Sequence, residues 1–528
     1  MKFAGKPLLL MILDGWGMRE NTAGDALAMA KVPNFDGYWR NFPHADLGCA
    51  GVEVGLPEGQ MGDSEVGHMN IGAGRVVYQD YTRISRAVNE GSFFTNSTLI
   101  EAMDMAKEAG KAVHIFGLVS DGGIHSHISH LFALLKIAKE QKIEQVFIHC
   151  FTDGRDTNSN MAEIFINQLE DVIATLGVGK IASLAGRFYG MDRDKRWERI
   201  QKAYEAMVYA EGHMVSSAAE AIQNSYAKGN FDEFIEPSIM VDEKGKPIAT
   251  IKEGDTVICF NYRSDRVREI SHAFTDEPFG FFDRGEGHPH TNFVCMTNYD
   301  DTLNNVMIVY PPSPPINTLG RVLSRNGLRQ LRIAETEKYA HITFFFNGGV
   351  EKMENGEDRV MIPSPNVKTY DMEPRMNAAA VTRAVIDRVK SEIYDVIVIN
   401  FANPDMIGHT GNIPATIEAL EYVDECMRQI IDAVREKGGT AIITADHGNV
   451  ERMIDDNGEP MTSHTTNKVP FILVDDNFNN LELRADGKLE DIAPTILQLL
   501  GIKQPAEMTG KSLISSGLTQ FDQLTLWD

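Results

Sequence analysis

Short apolar runs alternate with amphipathic stretches along most of the chain. The apolar runs predict strands at 8–13, 113–119, 146–151, 181–185, 257–261, 396–400 and 441–445. Most are continuous rather than alternating, which is typical of strands covered on both faces. Apolar residues recur at helical spacing over 161–176, 195–210, 376–389 and 417–435. This alternation predicts an α/β fold with a largely parallel sheet.

Two segments are predicted to be boundaries between domains. One is the glycine-rich stretch 71–75, and the other is 310–315, which has four prolines within five residues. Proline disfavours helix and central strand, so the second segment indicates a linker. A chain of 528 residues is too long for one compact core, and two or three domains are expected.

Composition and charge narrow the classes of partner. The chain is 43% hydrophobic and has a formal net charge of -25, which fits a globular protein with a full core. An acidic balance of this size argues against nucleic acid or an anionic membrane as the main partner. It allows a small anionic substrate, because a few arginines in one cleft can reverse the local field.

The cysteines and the N-terminal segment indicate in which cellular compartment the protein is expected. Five cysteines lie far apart without a Cys-x-x-Cys pair, so a disulfide framework or thiolate zinc site is not expected. Lys2 and Lys6 precede an apolar run of six residues that ends at Asp14. This run is too short for a signal sequence or a membrane span, so we predict a buried strand and a cytoplasmic protein.

Potential ligands for a hard metal ion follow several predicted strands. Asp14 follows the first strand, at the sheet edge where open α/β folds bind ligands. Asp405 and His409 are four residues apart, so one helical turn places both on one face. The other candidates are Asp446, His447 and His464. Oxygen and nitrogen ligands without thiolates favour manganese, zinc or magnesium.

Ser64 is the candidate nucleophile. It follows Gly62 and Asp63 and precedes a short stretch that is predicted to be helical. A hydroxyl at a helix N-terminus faces free N–H groups that favour phosphate. Metal coordination would lower its pKa without a histidine base. From this segment alone, a simple helix cap is the better interpretation of Ser64.

Arginines gather after predicted strands in the middle of the chain. They stand in segments 152–156, 186–194 and 261–266, after an earlier segment 120–127 with two histidines. A single arginine in such a place is typical of a protein surface. Five in matching positions predict a site for carboxylate or phosphate. They are Arg155, Arg187, Arg193, Arg263 and Arg266.

Taken together, these motifs resemble the cofactor-independent phosphoglycerate mutase family. The resemblance is carried by Asp14-Gly15-Trp16-Gly17, Gly62-Asp63-Ser64-Glu65-Val66-Gly67-His68, Ser120-Asp121-Gly122-Gly123-Ile124-His125-Ser126-His127, Thr152-Asp153-Gly154-Arg155-Asp156 and Ala445-Asp446-His447-Gly448-Asn449. It extends from Leu8 to about Ser512. The metal ligands alone would resemble only the wider alkaline-phosphatase superfamily. The tail after about Ile514 lies outside the pattern.

The family implies two α/β domains. A phosphatase-like metal-binding domain would comprise residues 1–77 and 313–528, interrupted by an inserted transferase domain at 78–312. One metal would be held by Asp405, His409 and His464. The second would be held by Asp14, Ser64, Asp446 and His447. Both ions would be divalent, with Mn²⁺ preferred and Zn²⁺, Co²⁺ or Mg²⁺ as alternatives.

The resemblance also implies the reaction, the interconversion of 3-phosphoglycerate and 2-phosphoglycerate without 2,3-bisphosphoglycerate. Ser64 would carry the phosphoryl group, Lys338 would neutralise charge on it, and Asp156 would act as acid and base. The substrate-binding residues would be His125, Arg155, Asp156, Arg187, Arg193, Arg263, Arg266 and Lys338. Domain closure would exclude water, and the expected form is a monomer with no macromolecular partner.

Three other functions, in two classes, remain open. A phosphomonoesterase or a phosphopentomutase could use the same metal ligands, and only the arginine-rich insert argues for a small substrate with a carboxylate. A non-catalytic metal-binding protein would need neither a nucleophile at Ser64 nor the arginines.

Overall fold

The computed structural model describes residues 7–18, 24–285, 287–478 and 481–516. The chain divides into two compact units, which we call unit 1 (Met1–Gln79 and Pro314–Asp528) and unit 2 (Asp80–Ser313). The predicted functional division at 77/78 and 312/313 stays a prediction. Lys2, Lys6 and the tail from residue 517 lie outside the described residues. No helix in the described ranges is long and apolar enough to cross a membrane.

The described part of the chain contains strands and helices in alternation. The strands are β1 Leu8–Leu13, β2 His44–Leu47, β3 Val113–Leu118, β4 Val146–Thr152, β5 Lys180–Gly186, β6 His213–Val215, β7 Ser238–Met240, β8 Thr256–Cys259, β9 Asn292–Thr297, β10 Val306–Tyr310, β11 Gln330–Glu335, β12 Glu357–Ile362, β13 Val396–Phe401, β14 Thr440–Thr444, β15 Val469–Val474, β16 Glu482–Leu483 and β17 Ile514–Ser516. The helices are α1 Ala26–Met29, α2 Pro33–Asn41, α3 Ser64–Ala73, α4 Asp80–Glu90, α5 Ser97–Ala109, α6 Ile128–Glu140, α7 Ala162–Leu176, α8 Arg187–Gly190, α9 Trp197–Tyr209, α10 Ala218–Ala227, α11 Arg268–Thr275, α12 Leu319–Arg325, α13 Thr336–Ala340, α14 Ala378–Lys390, α15 Asn403–Gly408, α16 Ile413–Glu436 and α17 Ile492–Leu499.

Unit 1 is built around a sheet in the order β12-β11-β13-β1-β14-β15-β2. The first five strands are parallel, and β15 is antiparallel to both of its neighbours. Every residue of the central strand β1 is buried, as expected for a strand covered on both faces. Because β1, β11, β13 and β14 are parallel, the residues that follow them meet at one edge of the sheet.

Unit 2 contains a second sheet, in the order β10-β9-β8-β3-β4-β5-β7-β6. Its strands are parallel except at the β5–β7 pair. The segments that carry the predicted substrate residues follow β3, β4, β5 and β8, so they too share one sheet edge. The prediction of an α/β fold with largely parallel sheets is confirmed.

Several predicted elements differ from those in the structure. The glycine-rich stretch 71–75 contains the end of α3 at Ala73 and its left-handed cap Gly74, and the two compact units divide shortly after it, at Gln79. Helix α16 begins earlier than predicted, since Asn412 accepts a hydrogen bond from the Ala415 N–H and caps it. Strand β11 escaped prediction because Gln330 and Arg332 interrupt its apolar pattern, although both are buried.

Helix α3 packs unusually closely against the segment after α13. A Cβ atom built on Gly72 would lie 1.9 Å from the carbonyl oxygen of Phe346. A backbone atom cannot yield as a flexible side chain would, so only glycine allows this approach. The contact therefore brings the helix that begins at Ser64 close to the chain that follows Lys338.

We predict that Gly72→Ala destabilises unit 1 by about 1–3 kcal/mol, because the methyl group overpacks this contact. Gly37→Ala is the matched control, since Gly37 lies inside α2 with no atom within 4 Å of a Cβ. That variant should be neutral or stabilising by up to about 1 kcal/mol. Urea unfolding measures both effects. Equal stability of the two variants would show that the helix does not need the close approach.

Unit 2 contains a buried histidine, His130, whose protonation is unfavourable. His130 on α6 is fully buried, and its Nε2 lies 2.8 Å from Ser85 Oγ. Burial, reinforced by the charge of His127, lowers the pKa of His130 to about 3. An unfolded histidine has a pKa of about 6.5. The unfolded chain therefore binds more protons between these values, and stability falls as the pH falls from about 6.5 towards 3.

We predict that His130→Gln reduces the loss of stability between about pH 8 and pH 5 by about 2 kcal/mol, because glutamine does not titrate. Urea unfolding of both proteins at each pH measures the loss. The difference at about pH 8, where both side chains are neutral, gives the cost of the substitution itself. An unchanged dependence on pH would contradict the assignment.

Candidate active site

Ser64 stands at the first turn of α3 with its hydroxyl directed into unit 1. Asp63 caps this helix, since its Oδ1 accepts a hydrogen bond from the Val66 N–H at 2.8 Å. Ser64 is therefore not the cap that its local sequence suggested. Its Oγ lies 3.0 Å from His447 Nε2 and donates to Asp14 Oδ1 at 3.2 Å. The hydroxyl is buried among groups that can bind a cation or a phosphate.

Lys338 is the central cation of this site. It lies on α13, directly after β11, and is almost fully buried. Its Nζ donates to Ser64 Oγ at 2.7 Å and to both Asp14 Oδ1 and Asp405 Oδ2 at 2.6 Å. Burial opposes the charge of Lys338, but the two carboxylates outweigh it and hold the pKa of the ammonium above its usual range. Lys338 therefore stays charged at neutral pH.

The carboxylates share this stabilisation. Burial would raise the pKa of Asp14, but Lys338 and His447 outweigh burial and hold it well below its usual range. The pKa of Asp405 is also lowered well below the usual range, since Lys338 and His409 outweigh burial. For His447, burial opposes protonation, but Asp446 and Asp14 overcome it and raise the pKa of the imidazole to about 10.

The structure brings together all three residues of the first predicted metal set. Asp405 Oδ1 lies 3.2 Å from the Nε2 atoms of both His409 and His464, and these nitrogens are 3.0 Å apart. The other ring nitrogens contact backbone oxygens, of Thr462 at 2.7 Å and of Gly62 at 2.9 Å. Bonds of this kind fix the rings of metal-binding histidines and leave Nε2 available.

The second predicted set is also gathered around Ser64. His447 Nε2 lies 3.4 Å from Asp14 Oδ1 and 3.6 Å from Asp446 Oδ2. Asp14, Asp405 and His447 converge as one group that could hold an ion. Asp446 converges instead with Asp14 and His68. The predicted ligands are therefore adjacent, and Asp14 belongs to both groups.

His68 and Asn400 contact this set and were not assigned a role from the sequence. His68 Nδ1 lies 2.8 Å from the Ser64 carbonyl oxygen and 3.1 Å from Asp446 Oδ2. Asn400 donates to Asp14 Oδ2 at 2.7 Å. His68 lies one helical turn after Ser64, and Asn400 ends a predicted strand next to β1. From the sequence, only these two positions could have indicated that His68 and Asn400 belong to the site.

Glu451 links the two segments that carry the histidine ligands. Its Oε2 accepts a hydrogen bond from the Asn449 N–H at 2.9 Å, and its Oε1 accepts from Asn467 Nδ2 at 2.9 Å and from the Thr465 hydroxyl. The side chain is fully buried. It connects the turn after His447 to the turn after His464, and nothing in its local sequence pattern indicated this role.

The donor set fits divalent cations. Three carboxylates, those of Asp14, Asp405 and Asp446, are buried close to one another. Asp446 Oδ2 is buried and has no hydrogen-bond partner among the described residues, since the nearby His68 Nδ1 is closer to the Ser64 carbonyl oxygen. Carboxylate oxygens and imidazole nitrogens without a thiolate suit manganese, zinc or magnesium. These residues can therefore hold divalent metals.

Unit 2 gathers most of its predicted substrate residues around Arg187 and Asp265. Arg187 is buried, and its Nη1 donates to Asp153 Oδ1 and Asp156 Oδ2, each at 2.7 Å. Arg193 and Arg263 contact the two oxygens of Asp265, each at 3.1 Å. The last two arginines carry exposed guanidinium groups that can turn to an incoming anion.

His125 and Arg266 lie close to these arginines. His125 is 4.0 Å from Asp156 Oδ2 and 3.5 Å from Asp265 Oδ1. Burial, reinforced by the charge of Arg187, lowers the pKa of His125 to about 4, so the ring is neutral at neutral pH.

Arg266 lies close enough to the other arginines for their charges to affect its pKa. It donates to the Met191 carbonyl oxygen at 3.1 Å. Burial and then the charges of Arg187, Arg193 and Arg155 lower its pKa. The guanidinium group of Arg155 forms an ion pair with Glu233, with its Nε 2.8 Å from the carboxylate, rather than with Asp156 or Asp265.

Family models match both units. A model described as the N-terminus of BPG-independent PGAM matches residues 84–301, within unit 2. A model described as type I phosphodiesterase / nucleotide pyrophosphatase matches residues 333–504, within unit 1.

The chain is also similar to solved structures. It is 34% identical to a phosphoglycerate mutase from Leishmania mexicana, crystallised at low cobalt concentration, over 97% of this chain and 98% of that chain, with a TM-score of 0.57. The PH0037 protein of Pyrococcus horikoshii is 13% identical over 95% of this chain and 98% of that chain, with a TM-score of 0.35. The alkaline phosphatase of the Antarctic bacterium TAB5 is 9% identical over 94% and 98%, with a TM-score of 0.29.

The similarity to the Leishmania mexicana enzyme extends over nearly the whole length of both chains, and it agrees with the motifs at Ser64, Asp156 and Asp446. We conclude that this chain belongs to the cofactor-independent phosphoglycerate mutase family.

Proposed function

We propose that this enzyme interconverts 3-phosphoglycerate and 2-phosphoglycerate through a phosphoserine on Ser64, without 2,3-bisphosphoglycerate. One observation carries the proposal. The Ser64 hydroxyl is buried 2.7 Å from Lys338 Nζ and 3.0 Å from His447 Nε2, beside the Asp14 carboxylate. A serine in this setting is surrounded by groups that stabilise an oxyanion and a phosphoryl group, whereas a capping serine would contact only its own helix.

In the proposed reaction, Ser64 Oγ attacks phosphorus in line with the leaving oxygen of the glycerate. Ser64 reacts as the oxyanion: the Oγ–P bond forms, the P–O bond to the glycerate breaks, and the departing oxygen takes a proton from Asp156. The Lys338 ammonium donates to Oγ, so its charge favours the oxyanion and then the phosphoryl oxygens. In the reverse transfer, Asp156 takes the proton of the neighbouring hydroxyl, that oxygen attacks phosphorus, and the Oγ–P bond breaks to release the Ser64 oxyanion.

Divalent ions would be held in the two predicted sets. Asp405, His409 and His464 would bind one ion, and Asp14, Ser64, Asp446 and His447 the other. Bound ions supply charge neutralisation for the phosphoryl oxygens and lower the pKa of a coordinated hydroxyl. Manganese is our preferred metal, with Zn²⁺, Co²⁺ and Mg²⁺ as alternatives that the same ligands accept.

Unit 2 supplies the groups suited to the glycerate. Arg193, Arg263 and Arg266 provide guanidinium groups for its carboxylate, since this geometry matches two oxygens at once. Asp156 is the proposed acid and base, and Arg187 holds its carboxylate by a 2.7 Å hydrogen bond. A glycerate kept bound in this way can receive the phosphoryl group at its other hydroxyl.

We further propose a monomeric enzyme of the cytoplasm. All five cysteines are free and buried. Free thiols of this kind fit a reducing compartment.

We predict that Ser64→Ala abolishes mutase activity, because no other described hydroxyl has the contacts that Ser64 makes. In the wild-type enzyme, rapid acid quenching with 3-phosphoglycerate followed by peptide mass spectrometry should find one phosphate on Ser64. A quenched enzyme that turns over substrate and carries no phosphate on this peptide would contradict the mechanism.

We also predict that Lys338→Met lowers kcat by at least about 10²–10³-fold, the loss typical of removing one donor to a developing oxyanion. Lys437→Met is the matched control, since Lys437 pairs with Glu392 at the surface of unit 1. It should retain full activity. Metal content is measured in parallel, and a Lys338→Met enzyme with normal metal and normal kcat would rule out the assigned role.

A further inference from the structure

A separate group of side chains that could bind a metal ion lies in unit 2, apart from the residues assigned above. It consists of Glu277, His288 and His290, whose ligand atoms all lie within 4.8 Å of one another. His290 Nε2 is 2.7 Å from Glu277 Oε1, and His288 Nε2 is 3.2 Å from the same oxygen. Each of the two rings therefore directs its Nε2 atom towards the carboxylate of Glu277.

These distances are close to those of a bound zinc ion. Zn²⁺ binds imidazole nitrogen and carboxylate oxygen at about 2.0–2.2 Å, so tetrahedral ligand atoms stand about 3.3 Å apart. Small outward movements of Glu277 and His290 would create this spacing. Glu277 and His290 are more than half exposed, so an ion can reach them from solvent without opening the fold.

Glu253 holds His290 in the orientation that a metal ligand needs. Its Oε2 accepts a hydrogen bond from the His290 backbone N–H at 2.7 Å and lies 3.3 Å from His290 Nδ1. A carboxylate on one ring nitrogen is the usual partner of a metal-bound histidine, because it fixes the ring and raises its basicity. Nε2 is then the nitrogen that faces Glu277.

The backbone around the group is anchored. The Gly254 N–H donates to the His290 carbonyl oxygen at 2.8 Å, which joins the turn before β8 to the chain before β9. Arg284 donates to the carbonyl oxygens of Ala273 and Asp276, each at 3.0 Å, and so ties the segment after Glu277 to α11. The ligands thus come from segments that are held independently of any ion.

We propose that Glu277, His288 and His290 form a Zn²⁺ site, with Glu253 as the positioning residue of His290 and water in the fourth position. Two imidazoles and a carboxylate favour zinc over magnesium or calcium, which prefer oxygen ligands alone. The ion would cross-link the segment after α11, which carries Glu277, to the segment before β9, which carries His288 and His290. An ordinary surface ion pair would explain either histidine–glutamate contact alone. It would not require both rings to face the same oxygen of Glu277.

Zinc counting on the manganese-loaded enzyme tests the proposal. Wild type and variants are equilibrated with Zn²⁺ at a series of buffered free concentrations, and bound zinc is measured by elemental analysis. Exchange at the active site is common to all variants and cancels in the comparison. Wild type should bind one more zinc ion per chain than His288→Gln or His290→Gln. Glu253→Gln should weaken this binding by about 10–100-fold.

His213→Gln is the matched control, since His213 is an exposed histidine of unit 2 that pairs with one glutamate, Glu236, at 2.9 Å. It should bind as much zinc as wild type. Equal binding by all variants, or an equal loss in His213→Gln, would overturn the site.

A measurement on wild type alone avoids any folding defect in the variants. Zinc should protect His288 and His290, but not His213, from acylation by diethyl pyrocarbonate, as read by peptide mass spectrometry. Unchanged modification of His288 and His290 at saturating zinc would equally overturn the proposal.

Discussion

The contact of the Lys338 ammonium with Asp14, Asp405 and Ser64 is the interaction on which the proposed chemistry depends. Burying carboxylates so close together is costly unless a cation and hydrogen bonds offset their repulsion. Lys338 gives each of its three N–H groups an acceptor at 2.6–2.7 Å. The same arrangement keeps the serine hydroxyl beside a fixed positive charge, which a phosphoryl group requires.

The fold of unit 1 explains why these groups meet. Asp14, Asp405 and Asp446 follow β1, β13 and β14, which lie side by side and parallel at the centre of the sheet. Lys338 follows β11, on the other side of β13. Helix α3 then brings Ser64 to the same edge, and its approach depends on Gly72 at the contact with the Phe346 carbonyl oxygen. Glu451 connects the two turns that carry His447 and His464.

The sequence predicted the parts of the site that follow strongly apolar strands. Asp14 and Asp446 stand directly after such strands, and their shared edge follows from a parallel sheet. Lys338 entered only through the resemblance to a family, because Gln330 and Arg332 conceal β11. The roles of Asn400 and Glu451 depend on packing between distant segments, and no local pattern predicts this. For Ser64, the local pattern favoured a cap, but Asp63 performs that function.

In the proposed mechanism, Ser64 carries the phosphoryl group only briefly and returns it to the same glycerate. A crossover experiment distinguishes this return from exchange between glycerate molecules. The metal-loaded enzyme converts a mixture of unlabelled 3-phosphoglycerate and 3-phosphoglycerate labelled with ¹³C in the glycerate and ¹⁸O in the non-bridging phosphate oxygens, with no 2,3-bisphosphoglycerate present. Early 2-phosphoglycerate should carry both labels or neither. Product with one label alone, in the proportion expected of random exchange, would rule out return to the same glycerate.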